Sequence, residues 1–215
     1  MHSGHGNSCK PMPTRESVES LKHAPGVAGM LEPILHRWSP RAYADKPVPA
    51  EDLKRGFEAA RWAASSFNEQ PWRFIVGRRG DAPFQKILDA LVPGNQAWAK
   101  NAPVLILSVA RKHFAHNGQI NRHYWHDTGA AMANFAVQIT ALGLHSHSMA
   151  GFDHEKAQKA FNIPDDFETV AVTAVGYQGD PDSLPEGPRK SEVSPRQRKD
   201  LKELVFSEWE KPLQF

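Results

Sequence analysis

The sequence predicts a mixed domain, α/β or α+β, built on a central sheet, and three observations carry that expectation. Residues 103–110 (Pro-Val-Leu-Ile-Leu-Ser-Val-Ala) and 169–177 (Thr-Val-Ala-Val-Thr-Ala-Val-Gly-Tyr) are near-continuous apolar runs without alternation, the pattern of strands covered on both faces. Segments of helical periodicity precede, separate and follow them. The chain has 215 residues, enough to bury one good core, so a single domain is expected.

The elements follow in order. Residues 1–28 are polar and broken by Gly and Pro, which predicts a flexible arm ahead of a domain over 29–215. A first helix is expected over 29–37, ending before Pro40. The next starts near Pro49, with Glu51 and Asp52 in its first turn and Leu53, Phe57, Ala60 and Ala64 at helical spacing. Residues 72–77 read as a strand, 78–81 as a turn and 83–91 as a short helix. Residues 123–142 are helical and apolar on almost every side, with Gly143 as the stop. Such a helix belongs in a large core or at a subunit interface. Asp153 caps a helix over 154–161 that Pro164 ends. Residues 180–195 form a Pro- and charge-rich loop. Ser194-Pro195 then opens a last helix with Leu201, Leu204, Val205 and Trp209 on one stripe.

Composition narrows the function. Forty per cent hydrophobic and 23% charged residues describe an ordinary globular chain, and a formal charge of +2 argues against a dedicated nucleic-acid binder. Cys9 is the only cysteine, which excludes an intrachain disulfide and suits a reducing compartment. No apolar run approaches the roughly 18 residues of a membrane span, and the start has no hydrophobic signal core. A cytoplasmic protein is expected.

Chemistry concentrates in two places. Residues 65–70 crowd Ser65, Ser66, Asn68, Glu69 and Gln70 before Pro71-Trp72. Amides that both donate and accept suit a flat heterocycle with alternating carbonyls and ring nitrogens, although a serine-capped helix end followed by a turn has the same composition. Arg37 and Arg41 lie four apart with Ser39 between them. Planar guanidinium forks can clamp a phosphate, and solvated arginines near a helix end would also look this way.

The stretch Ser-Ser-Phe-Asn-Glu-Gln-Pro-Trp-Arg-Phe-Ile-Val resembles the Pro-Ser-Ser-x-Asn-x-Gln-Pro-Trp-x-Phe signature of the nitroreductase family, with Ala64 in place of the proline. Upstream, Arg37-Trp38-Ser39-Pro40-Arg41-Ala42-Tyr43 resembles the family's Arg-x-Ser-x-Arg-x-Phe opening. The resemblance runs from about Leu31 to Leu204. It selects an α+β nitroreductase sandwich, with a central, mostly antiparallel sheet flanked by helices, in an intertwined homodimer. It implies an FMN-dependent NAD(P)H oxidoreductase, with a small-molecule acceptor such as a nitroaromatic or quinone reduced in a ping-pong cycle. FMN carries the chemistry, so no catalytic side chain is required. Arg37, Trp38, Ser39 and Arg41 would hold phosphate and ribityl chain, completed by Arg196 and Arg198. Asn95 would lie near the pyrimidine edge, and Ala150-Gly151 would approach flavin N5 through the main chain. Ala64, Ser65, Ser66, Asn68 and Gln70 would also bind the cofactor, with Ser65, Ser66 and Asn68 coming from the other subunit. Trp98 stands where some members carry a flavin-contacting lysine, and Ala150 where some carry glutamate.

Two other classes remain. One is a family member that binds flavin without redox turnover, or serves a specialised reaction. The other is a metal-binding protein, suggested by eleven histidines that include His113/His116, His123/His126 and His145/His147. No cysteine or glutamate pattern completes a recognised site, and no metal-binding residue is assigned.

Overall fold

The computed structural model describes residues 15–215. Strands β1 (Trp72–Arg78), β2 (Val104–Arg111), β3 (His145–Met149) and β4 (Phe167–Gly176) form one sheet in the order β1-β2-β4-β3, with every neighbouring pair antiparallel. The two apolar runs become its inner strands, β2 and β4, as expected. Every residue of β2 from Val104 to Ala110 is buried. The pairing β2–β4 carries one irregularity, between Ser108 and Val109.

Helices cover both faces. On one, Leu105, Leu107 and Val109 meet residues of α4 (Ala82–Ala90), α5 (Pro93–Ala99) and α7 (His154–Ala160), among them Phe84, Ile87, Trp98 and Ala157. On the other, Val104, Ile106 and Val175 meet α3 (Ala50–Arg61) and α6 (Tyr124–Ala141) through Leu53, Ala60, Ala131, Phe135 and Ile139. Asp153 caps α7 by accepting from Lys156 N at 2.9 Å. Among the described residues no helix is long and apolar enough to cross a membrane.

Helix α6 is less enclosed than its composition implies. Asp127, Thr128, Ala131, Phe135 and Ile139 are buried, whereas Gly129, Ala133, Asn134 and Ala141 face solvent within the single chain. Its close approach to α3 rests on Gly56, where an added Cβ would lie 2.7 Å from Phe135 Cε2 and 2.8 Å from Ile139 Cγ2.

Several expectations are corrected. The arm expected over 1–28 contains helix α1 (Arg15–Lys22), whose Val18 and Lys22 are buried; residues 1–14 lie outside the described residues. The first expected helix shrinks to α2 (Glu32–His36). Helix α5 and strand β3 had no clear pattern to announce them, since His-Ser-His-Ser-Met alternates without an apolar face. The loop 180–195 contains α8 (Glu186–Glu192). The last helix does not form. Residues 195–200 carry no regular secondary structure, one 3-10 turn covers Leu201–Glu203, and a hairpin of β5 (Phe206–Glu208) and β6 (Lys211–Pro212) follows. Leu201, Leu204 and Trp209 are exposed, so the apolar stripe finds no covering surface among the described residues, and a short helix without such a surface is marginal.

Filling the α3–α6 contact should be costly. Gly56→Val is expected to destabilise by about 1–3 kcal/mol, because overpacking outweighs the gain from removing a helical glycine. The check is the midpoint of urea unfolding; an unchanged or higher midpoint would show that the contact can relax freely.

Candidate active site at the edge of the sheet

The upstream signature is held in place by a buried carboxylate. Helix α2 stops at Arg37, which takes an extended conformation, and residues 37–42 then run past edge strand β3. Both oxygens of Glu192, at the end of α8, accept from backbone: Arg41 N donates at 3.0 and 2.9 Å and Ala42 N at 2.9 Å. Glu192 is fully buried, and that burial pushes its carboxyl upward, against the lowering effect of these bonds and of the Arg41 and Lys22 charges. Lys22, from α1, donates to the carbonyls of Ser191 (3.0 Å) and Ser194, and its ammonium stands 4.8 Å over the Trp38 ring. Burial lowers the Lys22 pKa, with Glu192 opposing.

These anchors leave the signature's side chains unspent. The guanidiniums of Arg37 and Arg41 and the hydroxyl of Ser39 have no hydrogen-bond partner among the described residues. Arg37 borders a cavity of about 650 Å³ together with His23, Arg196 and Arg198. Its pKa is lowered first by burial and then by Arg198, and that of Arg196 by burial, Arg37 and Arg198. Three guanidiniums repelling one another favour an anion among them. Arg196 itself is largely committed: it donates to Arg37 O at 2.5 Å and Leu35 O at 2.7 Å, with Nε buried and unpartnered. It positions Arg37 more than it offers a fork of its own. Arg198 is exposed, bonded only to Gln197 O. Trp38 is buried under Lys22 and beside His145, with Nε1 unpartnered.

Across the edge of β3, Asn95 of α5 donates to Gly151 O at 3.0 Å. A Cβ at Gly151 would lie 2.9 Å from Asn95 Nδ2, so a larger residue there would displace that amide. Its N–H makes no bond among the described residues, and Ala150 beside it is exposed. Trp98 is buried, stacked on Tyr43 (6.4 Å) and tilted against His147 (4.7 Å), with the Arg41 guanidinium 6.0 Å from its ring. It therefore supports Arg41 from beneath rather than replacing a lysine as a ligand contact. The imidazole of His147 meets Pro40 O at 3.0 Å through Nδ1.

The downstream signature lies elsewhere. Phe67, Asn68 and Gln70 all adopt left-handed backbone (φ 52°, 55° and 50°), a strained run for non-glycine residues. Local bonds fix it: Gln70 N donates to Ser65 Oγ (3.0 Å), Gln70 Nε2 to Asn68 Oδ1 (3.2 Å), and Ser66 N to the buried Asp127 Oδ2 (2.9 Å). Glu69 accepts from Ala115 N, and Ala64 is exposed. This loop leads into β1, whereas Arg37 to Arg41 border β3. The two edges are separated by three strand spacings, about 14 Å. One chain does not bring its two signatures together.

Sequence reasoning missed Glu192, Lys22 and His147 as supports. Glu192 is one charge in a charge-rich loop and Lys22 one in a polar arm, so nothing in their spacing marks them. The histidine pairs converge on no metal geometry. His113 meets Asp166, which also accepts from Arg111 (2.8 Å); His116 lies 4.0 Å from Glu69; His126 meets Asp127 at 2.9 Å. Among the described residues only His23, Glu32 and His36 bring three such ligand atoms together.

A four-stranded antiparallel sheet sandwiched by helices, with an uncompensated cationic pocket at one edge, defines an α+β protein built to take an anionic ligand. The chain belongs to the nitroreductase family, whose family model matches residues 34–177. Arg196 and Arg198 fall outside that range. A solved structure described as an oxidoreductase containing FMN superposes with a TM-score of 0.80 at 35% identity, over 86% of this chain and 94% of that one. An uncharacterized 15.4 kDa protein of Mycolicibacterium smegmatis is 35% identical over 150 residues, 66% of this chain and 99% of the relative. A Streptomyces coelicolor protein carrying the provisional name NADH dehydrogenase/NAD(P)H nitroreductase is 28% identical over 167 residues, 69% of this chain and 82% of the relative.

Burial and the neighbouring Arg41 charge hold His147 neutral, lowering its pKa from 6.5 to about 4. Between those values the unfolded chain binds the extra proton. The stability tied to neutral His147 is therefore intact above about pH 6.5 and lost as the pH falls toward 4, by at most on the order of 3 kcal/mol. His147→Gln keeps a donor for Pro40 O but cannot titrate. Its stability is expected to fall less steeply than wild type over this window in urea titrations at stepped pH; parallel slopes would remove His147 as the cause.

Proposed function

We propose that this protein is an FMN-dependent NAD(P)H oxidoreductase acting as a homodimer. The observation that carries the reading is the set of unspent donors at the edge of β3: the Ser39 hydroxyl, the Gly151 N–H, the Arg41 guanidinium and that of Arg37, which also borders a pocket lined by Arg196 and Arg198 and by no carboxylate. That set fits FMN. Arg37 and Arg41 would bind the phosphate, with Arg198 adding charge; Ser39 would hydrogen-bond the ribityl chain; Asn95 would sit at the pyrimidine edge, and the Gly151 N–H would donate at N5. Bound FMN supplies two-electron transfer from NAD(P)H to a small acceptor such as a nitroaromatic or quinone, in a ping-pong cycle. The relatives' names support donor and cofactor. No general base is needed from the chain, so its part is binding, orientation and access.

The separation of the two signatures supports the dimer. Ser65, Ser66 and Asn68 of one chain would complete the site of the other. Exposed Trp62, Phe67, Leu201, Leu204 and Trp209 offer apolar surface for that interface, as do the solvent-facing small residues of α6. A reducing, cytoplasmic setting suits a chain whose single cysteine is Cys9.

Arg41→Glu is expected to lose most bound FMN, since each charge-assisted bond removed costs about 1.5–3 kcal/mol before repulsion is added. Flavin absorbance after dialysis reads this, and anaerobic NAD(P)H should bleach the wild-type flavin until a quinone is added. A flavin that stays oxidised with both nucleotides would leave a binding protein without turnover, and a colourless protein would remove FMN. For the dimer, Arg41→Glu is paired with a second chain in which Ser65, Ser66 and Asn68 are all made bulky. The heterodimer concentrates the damage in one site and should hold about one FMN, while each homodimer holds little. A heterodimer as empty as its parents would mean that both signatures serve the same chain.

A further inference from the structure

His23, Glu32 and His36 converge at the outer end of the α1–α2 connection, and the proposed flavin site uses none of them. Glu32 and His36 lie four apart on α2, so they share a face. His23 follows α1 directly and is brought alongside by the bond from Ala24 N to Leu35 O (3.0 Å). Glu32 Oε2 stands 3.2 Å from His36 Nε2 and 3.7 Å from His23 Nε2, and the two imidazoles meet edge to face with centroids 4.5 Å apart. One ligand atom from each residue falls within 4.8 Å of the other two.

The Glu32–His36 separation would also serve a hydrogen bond, whereas the Glu32–His23 one would not. A contact of 3.7 Å is too long for a hydrogen bond. Around a tetrahedral ion with bonds of about 2.0–2.1 Å, neighbouring ligand atoms lie about 3.3 Å apart, between the two values seen. Two imidazoles and one carboxylate are borderline ligands, suited to Zn2+, Ni2+ or Cu2+ and poorly to Mg2+ or Ca2+, which take oxygen. We propose that His23, Glu32 and His36 bind a divalent transition-metal ion of the Zn2+ class and clasp α1 to α2. His36 immediately precedes Arg37, and His23 borders the same cavity as Arg37 and Arg196, so the clasp would fix one wall of that cavity. Three protein ligands at an exposed site leave a position for water.

The test uses full-length protein without a histidine tag, stripped by chelator and titrated calorimetrically with Zn2+ and, separately, Mg2+. About one Zn2+ per chain is expected, with no response to Mg2+ and a tetrahedral absorption spectrum when Co2+ is substituted. His23→Ala and His36→Ala should each weaken Zn2+ binding about tenfold or more, while His113→Ala should not. Zn2+ should raise the unfolding temperature of the wild type and not of the His23→Ala/His36→Ala double variant. If that double variant does not fold, Glu32→Gln, close to isosteric, takes its place. Undiminished Zn2+ affinity in the substituted protein, or no stoichiometric binding by the wild type, would overturn the proposal. Flavin content is not a readout here, so the result is independent of the proposed cofactor.

Discussion

The arrangement at the edge of the sheet depends on one buried carboxylate. Glu192 ties the N–H groups of Arg41 and Ala42 to the end of α8, and Lys22 ties α1 to carbonyls on either side of it. A charge taken out of water is costly unless it is paired and hydrogen-bonded, and Glu192 has both kinds of partner. The network joins three stretches of chain far apart in sequence: α1, the segment 37–42, and α8. Because the anchors act on backbone atoms, the side chains of Arg37, Ser39 and Arg41 remain free for a ligand.

The sheet sets the second constraint. Antiparallel order β1-β2-β4-β3 buries the two most apolar strands in the middle and puts the polar His-Ser-His-Ser-Met strand at an edge. Segment 37–41 covers that edge, His147 meets Pro40 O, and Trp98 packs under both His147 and Arg41. The opposite edge is β1, preceded by the strained serine loop that Asp127 holds from the first turn of α6. The same sheet that positions both signatures keeps them apart, and the proposal of a shared site rests on that separation.

Electrostatics sharpen this picture. Burial and then the neighbouring guanidiniums lower Arg37 and Arg196, while acidic partners elsewhere are already engaged: Asp166 by Arg111 and His113, Glu58 by Arg61 and Trp62. The cationic pocket is thus a local excess of charge in a chain whose overall formal charge is only +2. Holding His147 neutral also spares Arg41 a second positive neighbour.

The sequence alone determined the mixed fold, the inner strands, strand β1, helices α3, α4, α6 and α7, and the two signatures that place the chain in its family. Those features depend on local periodicity, on capping by Asp153, and on short motifs read within a dozen residues. Only the tertiary structure decided the rest. The stripe Leu201, Leu204, Val205 and Trp209 has helical spacing, yet among the described residues little covers it: Leu201, Leu204 and Trp209 are exposed, and the segment ends in a turn and a hairpin. That Arg196 donates to the carbonyls of Leu35 and Arg37 could not be read from its spacing. Glu192 and Lys22 were ordinary charges in polar segments until folding buried them together. Such residues owe their roles to partners more than 100 positions away, and no pattern along the chain records a contact that only the folded packing creates.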